Sequence, residues 1–313
     1  MPQHVRVRAF DAILDDVFRQ YRDFFLPLML ITLVFLAPMT VIGAWLSNMM
    51  SPALIQSLFT PAHPGAFPNV LAALRQHPQT MATMTSYFSI ELALTLVSMN
   101  VVGPLSNGAY YLLGRDSLVE HRMDGTVWGY IGKASRRWGA YLSTMWLLVG
   151  LGAAAFGAFM IIVALVGLLL STLHAIPGVV GIIVLLAILL YIAIVVFSIW
   201  LSIRLTFVFL AVVLEKQRNW GAIRRSWFLT KGSFWRIFGI ILLAELVLGF
   251  ANVGLYALIT HFAPSGPIQV LAIGLISIIL APLIRLLVTN LYVDLRIRRE
   301  GYDLELQAGA GDA

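Results

Sequence analysis

The chain has 313 residues, 60% of them hydrophobic and only 12% charged, about half the charged share of a soluble domain, so lipid is the expected solvent. The absence of cysteine excludes disulfides, cysteine metal sites and thiol catalysis. The formal charge of +6 comes from basic residues at the edges of apolar segments, not from a nucleic-acid-binding patch.

The first 25 residues mix Arg and Asp and show no small-residue cleavage site, so the first span is expected to direct insertion and to stay in the protein. Ahead of it, Phe10, Ile13, Val17, Tyr21 and Phe24 recur at increments of three, four, four and three, which predicts an amphipathic helix. The first span is placed at about 25–47 and is followed by a connector over 47–86 with Pro52, Pro61, Pro64, Pro68 and Pro78. The second span, about 83–113, contains Pro104 and Asn107. Val127, Tyr130, Ala134, Trp138 and Tyr141 then repeat the earlier increments ahead of a third span at about 139–171. In that span Gly150, Gly152 and Gly157 permit close helix packing. A short turn over 175–178 leads to the fourth span, about 178–213, which reaches on the order of 50 Å and must tilt or project from the hydrocarbon. Trp220, Ile223, Trp227, Lys231 and Phe234 give the same increments a third time, with Gly232-Ser233 as the break before a fifth span at about 237–260. After a connector over 261–266, the sixth span, about 267–293, carries Pro282 and Arg285.

With six spans, 20 of the 21 Lys and Arg residues fall on one side and only Arg75 on the other. Positive residues are retained in the cytoplasm, which predicts a multi-pass inner-membrane protein with both termini cytoplasmic. The expected fold is all-α: three repeats of an interfacial amphipathic helix plus a transmembrane hairpin, at about 8–113, 125–213 and 219–293. These form one transmembrane domain over 1–300, with a flexible tail over 301–313.

Ionisable groups in hydrocarbon need a partner or a purpose. Arg204, Glu245 and Arg285 are predicted at similar depth, roughly 12–16 Å from the cytoplasmic boundary. They read either as a structural ion pair beside an arginine snorkelling to the headgroups, or as an anion or lipid site. Glu91 lies nearer the outer end of the second span, and Asn100, Asn107, Asn252 and Asn290 are read as interhelical hydrogen-bonding groups. Trp220, Trp227, Trp235, Arg224 and Arg225 are read as interfacial anchors. The six histidines show no metal-ligand spacing, and neither a nucleophile elbow nor a phosphate loop occurs. No cofactor, metal site, nucleic-acid partner or catalytic activity is therefore expected.

Arg204-Leu-Thr-Phe-Val-Phe-Leu-Ala-Val-Val-Leu-Glu215, Trp220-Gly-Ala-Ile-Arg-Arg-Ser-Trp227, Lys231-Gly-Ser-Phe-Trp-Arg236 and the segment from Leu291 to Glu305 together resemble the bacterial six-span glycerophosphoryl diester phosphodiesterase membrane-domain family. The resemblance is best over about 200–305. It implies a membrane domain and not phosphodiesterase activity, because hydrolysis in the fused relatives belongs to a separate barrel with a His-Arg-Gly signature. This chain has His121-Arg122-Met123 instead. The expected function is a non-catalytic membrane protein that contacts anionic lipid, a membrane protein partner or a second copy of itself. The alternative is a transporter, scramblase or channel for an anionic or lipidic substrate, working through the Arg/Glu cluster.

Overall fold

The computed structural model describes residues 10–46, 78–173, 179–263 and 266–302. The expected turn at 175–178, most of the proline-bearing connector and the tail from 303 lie outside the described residues. Those described are almost entirely helical and contain no strand. In chain order they form α1 (Phe10–Asp23), α2 (Phe25–Leu46), α3 (Pro78–Val97), a π-helical turn (Ser98–Val102) and α4 (Gly103–Val119). Then follow α5 (Val127–Ser135), α6 (Trp138–Leu173), α7 (Val179–Leu205) and α8 (Val208–Leu214). The chain continues through α9 (Trp220–Thr230), α10 (Phe234–Phe262) and α11 (Pro267–Glu300).

Among the described residues, six helical segments are long and apolar enough to cross a membrane: Phe25–Leu46, Met81–Val119, Trp138–Leu168, Gly181–Leu214, Phe234–Phe262 and Pro267–Glu300. The chain is an all-α, multi-pass membrane protein. The short helices α1, α5 and α9 directly precede the first, third and fifth spans. The second and sixth spans run further than their apolar stretches require, to Val119 and Glu300.

Proline shapes the second span. Pro104 has no N–H to give and its ring crowds the carbonyl one turn back, and the π-helical turn just before it widens the ladder to relieve that clash. The Asn100 side-chain amide donates to the Leu96 carbonyl at 2.8 Å, alongside this widened stretch.

The contacts divide into two units. The first comprises the described residues of 136–241 and 291–302. Its core is built on the junction between α7 and α8, where Phe207 is fully buried and packs against Tyr292 at 5.7 Å between ring centroids. At that junction Ser226 replaces the missing helical hydrogen bonds: its hydroxyl donates to the Arg204 carbonyl at 2.7 Å and accepts from the Phe207 N–H at 3.2 Å. The tight α8–α9 connection places Lys216 and Asn219 at φ 62° and 48°. This strained backbone is held by the Asn219 N–H donating to the Thr144 hydroxyl at 2.9 Å. The α6–α7 hairpin is left bare: none of the third-span window and only 6% of the fourth is buried.

The second unit comprises the described residues of 10–135 and 242–290. Ile13, Val17, Leu28, Ile31, Leu113, Tyr130, Ala134 and Leu286 are buried there, so the apolar stripes of α1 and α5 face its core as their periodicity predicts. Gly114 lets α4 approach α11, since a Cβ there would lie 3.2 Å from Leu286 and 3.3 Å from Thr289. Thr32 and Tyr110 share a 2.5 Å hydroxyl–hydroxyl bond between α2 and α4.

Candidate functional site

The three ionisable residues expected at similar depth do not converge on one another within a unit. Arg204 belongs to the first unit, Glu245 and Arg285 to the second. Arg204 packs against the Trp200–Trp227 ring pair, 5.3 Å from each centroid, and donates to the Thr230 hydroxyl at 3.4 Å. The two rings meet edge to face 5.2 Å apart, so the guanidinium packs beside the pair within cation–π range, and its buried Nε has no hydrogen-bond partner among the described residues. Within the second unit no ion pair joins Glu245 to Arg285. Glu245 is exposed on α10, whereas Arg285 is half-buried on α11 within electrostatic reach of Tyr110 and Tyr111 of α4.

Glu91 is exposed and lines a cavity of about 460 Å³ with Met39, Gly43, Thr95 and Met99. Asn290 is fully buried, its amide donating to Gln20 Oε1 at 2.8 Å and to the Leu286 carbonyl at 2.9 Å, so it ties α11 to α1. Asn100 bonds within its own helix, Asn107 is half-buried and Asn252 is exposed.

The main polar network of the first unit involves residues that hydropathy does not reveal. Glu215, at the end of α8, pairs with Arg225 Nε at 2.5 Å and with Arg296 Nε at 3.3 Å, and accepts a short hydrogen bond from the Tyr292 hydroxyl. Glu300 pairs with the same two arginines, through Arg225 Nη2 at 2.6 Å and Arg296 Nε at 3.3 Å. Arg225 is therefore an interior cross-link as well as part of the α9 surface. Burial disfavours its charge, but the hydrogen bonds and charges of Glu300 and Glu215 outweigh that and hold its pKa above the ordinary guanidinium value. Close by in sequence, Asp294 is almost fully buried; it forms an ion pair with Arg236 Nη2 at 3.0 Å and accepts from Arg298 Nε at 2.9 Å.

The second unit repeats the theme with Asp116. This carboxylate is 2% exposed and accepts from Arg115 Nε at 2.8 Å and from the Tyr130 hydroxyl at 3.0 Å. The Tyr130 oxygen in turn accepts from the Asp124 N–H at 2.9 Å. Burial first, and then the Asp116 charge, pushes the Tyr130 phenol well above its ordinary value. Lys133, bonded to Asp124 at 3.0 Å, holds that exposed carboxyl below the usual carboxylate range. A sequence signal for these carboxylates exists: Asp116 follows Pro104, and Asp294 follows Pro282, by the same twelve residues.

These pairings leave a distinctive surface on the first unit. Its described carboxylates are Glu215, Asp294 and Glu300, and all three are turned inward onto arginines. Lys216, Arg218, Arg224 and Lys231 are exposed and have no carboxylate within ion-pair distance among the described residues. Trp220, Trp227 and Trp235 are 56%, 38% and 78% exposed around them.

Residues 133–295 match the sequence family described as Domain of unknown function (DUF7847), a match covering just over half of the chain. The chain belongs to that family. The DUF7847 segment holds Arg204 with its tryptophans, Glu215, Arg225, Arg236 and Asp294, and stops short of Arg296 and Glu300. No curated protein and no solved structure matches the chain. Among the described residues no group of His, Asp and Glu is arranged to hold a metal ion.

Proposed function

We propose that this protein is a non-catalytic inner-membrane module with both termini cytoplasmic, and that the face around α9 binds anionic lipid headgroups. The observation that carries this reading is the set of exposed, carboxylate-free cations Lys216, Arg218, Arg224 and Lys231 interleaved with exposed Trp220, Trp227 and Trp235. Tryptophan favours the headgroup layer, and cations close to an anionic surface gain about 1 kcal/mol each. The distribution of Lys and Arg supports cytoplasmic placement of this face. Recurrence of a short helix before the first, third and fifth spans supports a threefold repeat, and the resemblance to the glycerophosphoryl diester phosphodiesterase membrane domain is consistent with a role without hydrolysis.

The conduit reading has less support. Arg204 already packs against Trp200, Trp227 and Thr230, and no carboxylate pairs with Arg285 among the described residues.

Native mass spectrometry of the full chain with added phosphatidylglycerol tests the proposal. Retained phosphatidylglycerol should fall sharply when Lys216, Arg218, Arg224 and Lys231 are all replaced by Gln, and should fall with salt in the wild type. Equal retention by wild type and variant refutes it.

A further inference from the structure

A groove of about 200 Å³ opens in the second unit between α1, α10 and α11, and its walls are entirely apolar. Leu14, Val17 and Phe18 form one wall, Ala244 and Val247 a second, and Leu283 a third. Phe18 and Val247 remain more than half exposed, so the groove is accessible from the lipid-facing surface of the spans.

The charges on α1 indicate what occupies it. Asp11, Asp15, Phe18 and Arg22 follow one another at helical spacing and share a face, with Arg19 one turn beyond Asp15. Asp11 and Asp15 are exposed and have no cationic partner among the described residues. Arg19 and Arg22 make only surface contacts, at 3.9 Å to Asp16 and 3.2 Å to Asp23. An amphipathic helix beside an apolar groove thus presents the carboxylates Asp11 and Asp15, without cationic partners among the described residues, in its first half. Its second half presents the guanidiniums of Arg19 and Arg22, each on one surface carboxylate. An anionic headgroup would be repelled by the first half. A headgroup carrying a phosphate and an ammonium matches both halves. A primary ammonium fits better than a quaternary one, because it can donate hydrogen bonds to the carboxylates.

We propose that this groove holds one acyl chain of a phospholipid with a primary-ammonium headgroup, its phosphate on Arg19 and Arg22 and its ammonium on Asp11 and Asp15. The site is independent of the anionic-lipid reading, since it uses other residues, the other unit and a different headgroup.

The test is native mass spectrometry of the full chain with phosphatidylethanolamine, phosphatidylcholine and phosphatidylglycerol of identical acyl chains. Wild type should retain phosphatidylethanolamine best. Asp11→Asn with Asp15→Asn should lower that retention roughly tenfold, the loss expected for about one charge-assisted hydrogen bond. Both positions are exposed, so folding is not at stake. Val247→Trp, also at an exposed position, should lower retention of all three lipids by narrowing the groove. The fourfold Gln variant on the α9 face should leave phosphatidylethanolamine retention unchanged, which separates this site from the other. Equal wild-type retention of phosphatidylethanolamine and phosphatidylcholine overturns the headgroup assignment. Retention unaffected by Val247→Trp, or a lipid-free dimer abolished by it, overturns the acyl-chain assignment.

Discussion

Asp294 offers the sharpest test of how the first unit is held together. Its side chain is 0% exposed and carries Arg236 at 3.0 Å and Arg298 at 2.9 Å, both guanidiniums being a little over a quarter exposed. Asp294→Asn keeps the shape and one acceptor but removes the charge that both arginines face. Breaking a fully buried pair by removing one partner costs about 3–5 kcal/mol. Water reaches both guanidiniums here, so the expected loss is lower, about 2–3 kcal/mol. Arg236→Met leaves Asp294 still bonded to Arg298 and should cost about 1–2 kcal/mol. With its charge partner already gone, the second substitution removes an unpaired cation, so the double variant should be less destabilised than the two losses combined. A coupling of at least about 1 kcal/mol is expected, against about 0.3–0.5 kcal/mol for independent sites. Intrinsic tryptophan fluorescence during denaturation in detergent micelles reads this directly, since the chain has eight Trp and no cysteine for thiol dyes. Additive losses, or an Asp294→Asn loss below about 0.5 kcal/mol, would refute a coupled interior triad.

Tyr130→Phe strips Asp116 of one hydrogen bond and leaves the Asp124 N–H without its acceptor, which should cost about 1.5–3 kcal/mol on the same unfolding assay. Because the folded-state phenol pKa is raised above its ordinary 10.0, its contribution is complete below that pH and is lost as pH rises through the folded value. The wild type should therefore lose stability above pH 10.0 more steeply than Tyr130→Phe in unfolding scans against pH. At Gly274 a Cβ would lie 2.6 Å from Thr40 Cγ2, so Gly274→Leu should cost about 1–3 kcal/mol by overpacking, with Thr40→Ala recovering part of it. Arg204→Leu should cost about 0.5–2 kcal/mol, shift the tryptophan emission and leave phosphatidylglycerol retention unchanged. A large fall in retention would return Arg204 to the role of a lipid site.

The spans were legible because apolar length is a one-dimensional property, and the break at Gly232 was legible because glycine takes the positive φ a turn needs; the π-helical turn before Pro104 was not read. Helix ends were not. α4 and α11 continue past their apolar stretches because Asp116 and Asp294 find partners through space, Tyr130 fourteen residues on and Arg236 fifty-eight residues back. Periodicity placed Trp227 in line with Ile223, but the buried face of α9 also uses Ser226 and Thr230. A serine that replaces backbone hydrogen bonds at a helix junction has no apolar signature to read. Arg225 reads as an anchor for the same reason: Glu300, seventy-five residues away, is what draws it inward.

The inward carboxylates also explain why one face can be so cationic without a strongly basic composition. A net charge of +6 over 313 residues is modest. In the first unit, however, the described carboxylates are committed to Arg225, Arg236, Arg296 and Arg298, so the cations Lys216, Arg218, Arg224 and Lys231 are left uncompensated by the described carboxylates. The arrangement separates two jobs that a random charge distribution would mix. The largely buried pairs fix α8, α9 and the end of α11 with limited sensitivity to salt, while in the proposed reading the exposed set exchanges counterions for lipid phosphate and responds strongly to salt. Reversing that separation, by placing a carboxylate at the exposed position Arg218 (Arg218→Glu), should therefore weaken phosphatidylglycerol retention and its salt dependence while leaving the unfolding midpoint nearly unchanged. If instead the midpoint falls as far as it does for Asp294→Asn, the exposed cations are structural and the division of labour is wrong.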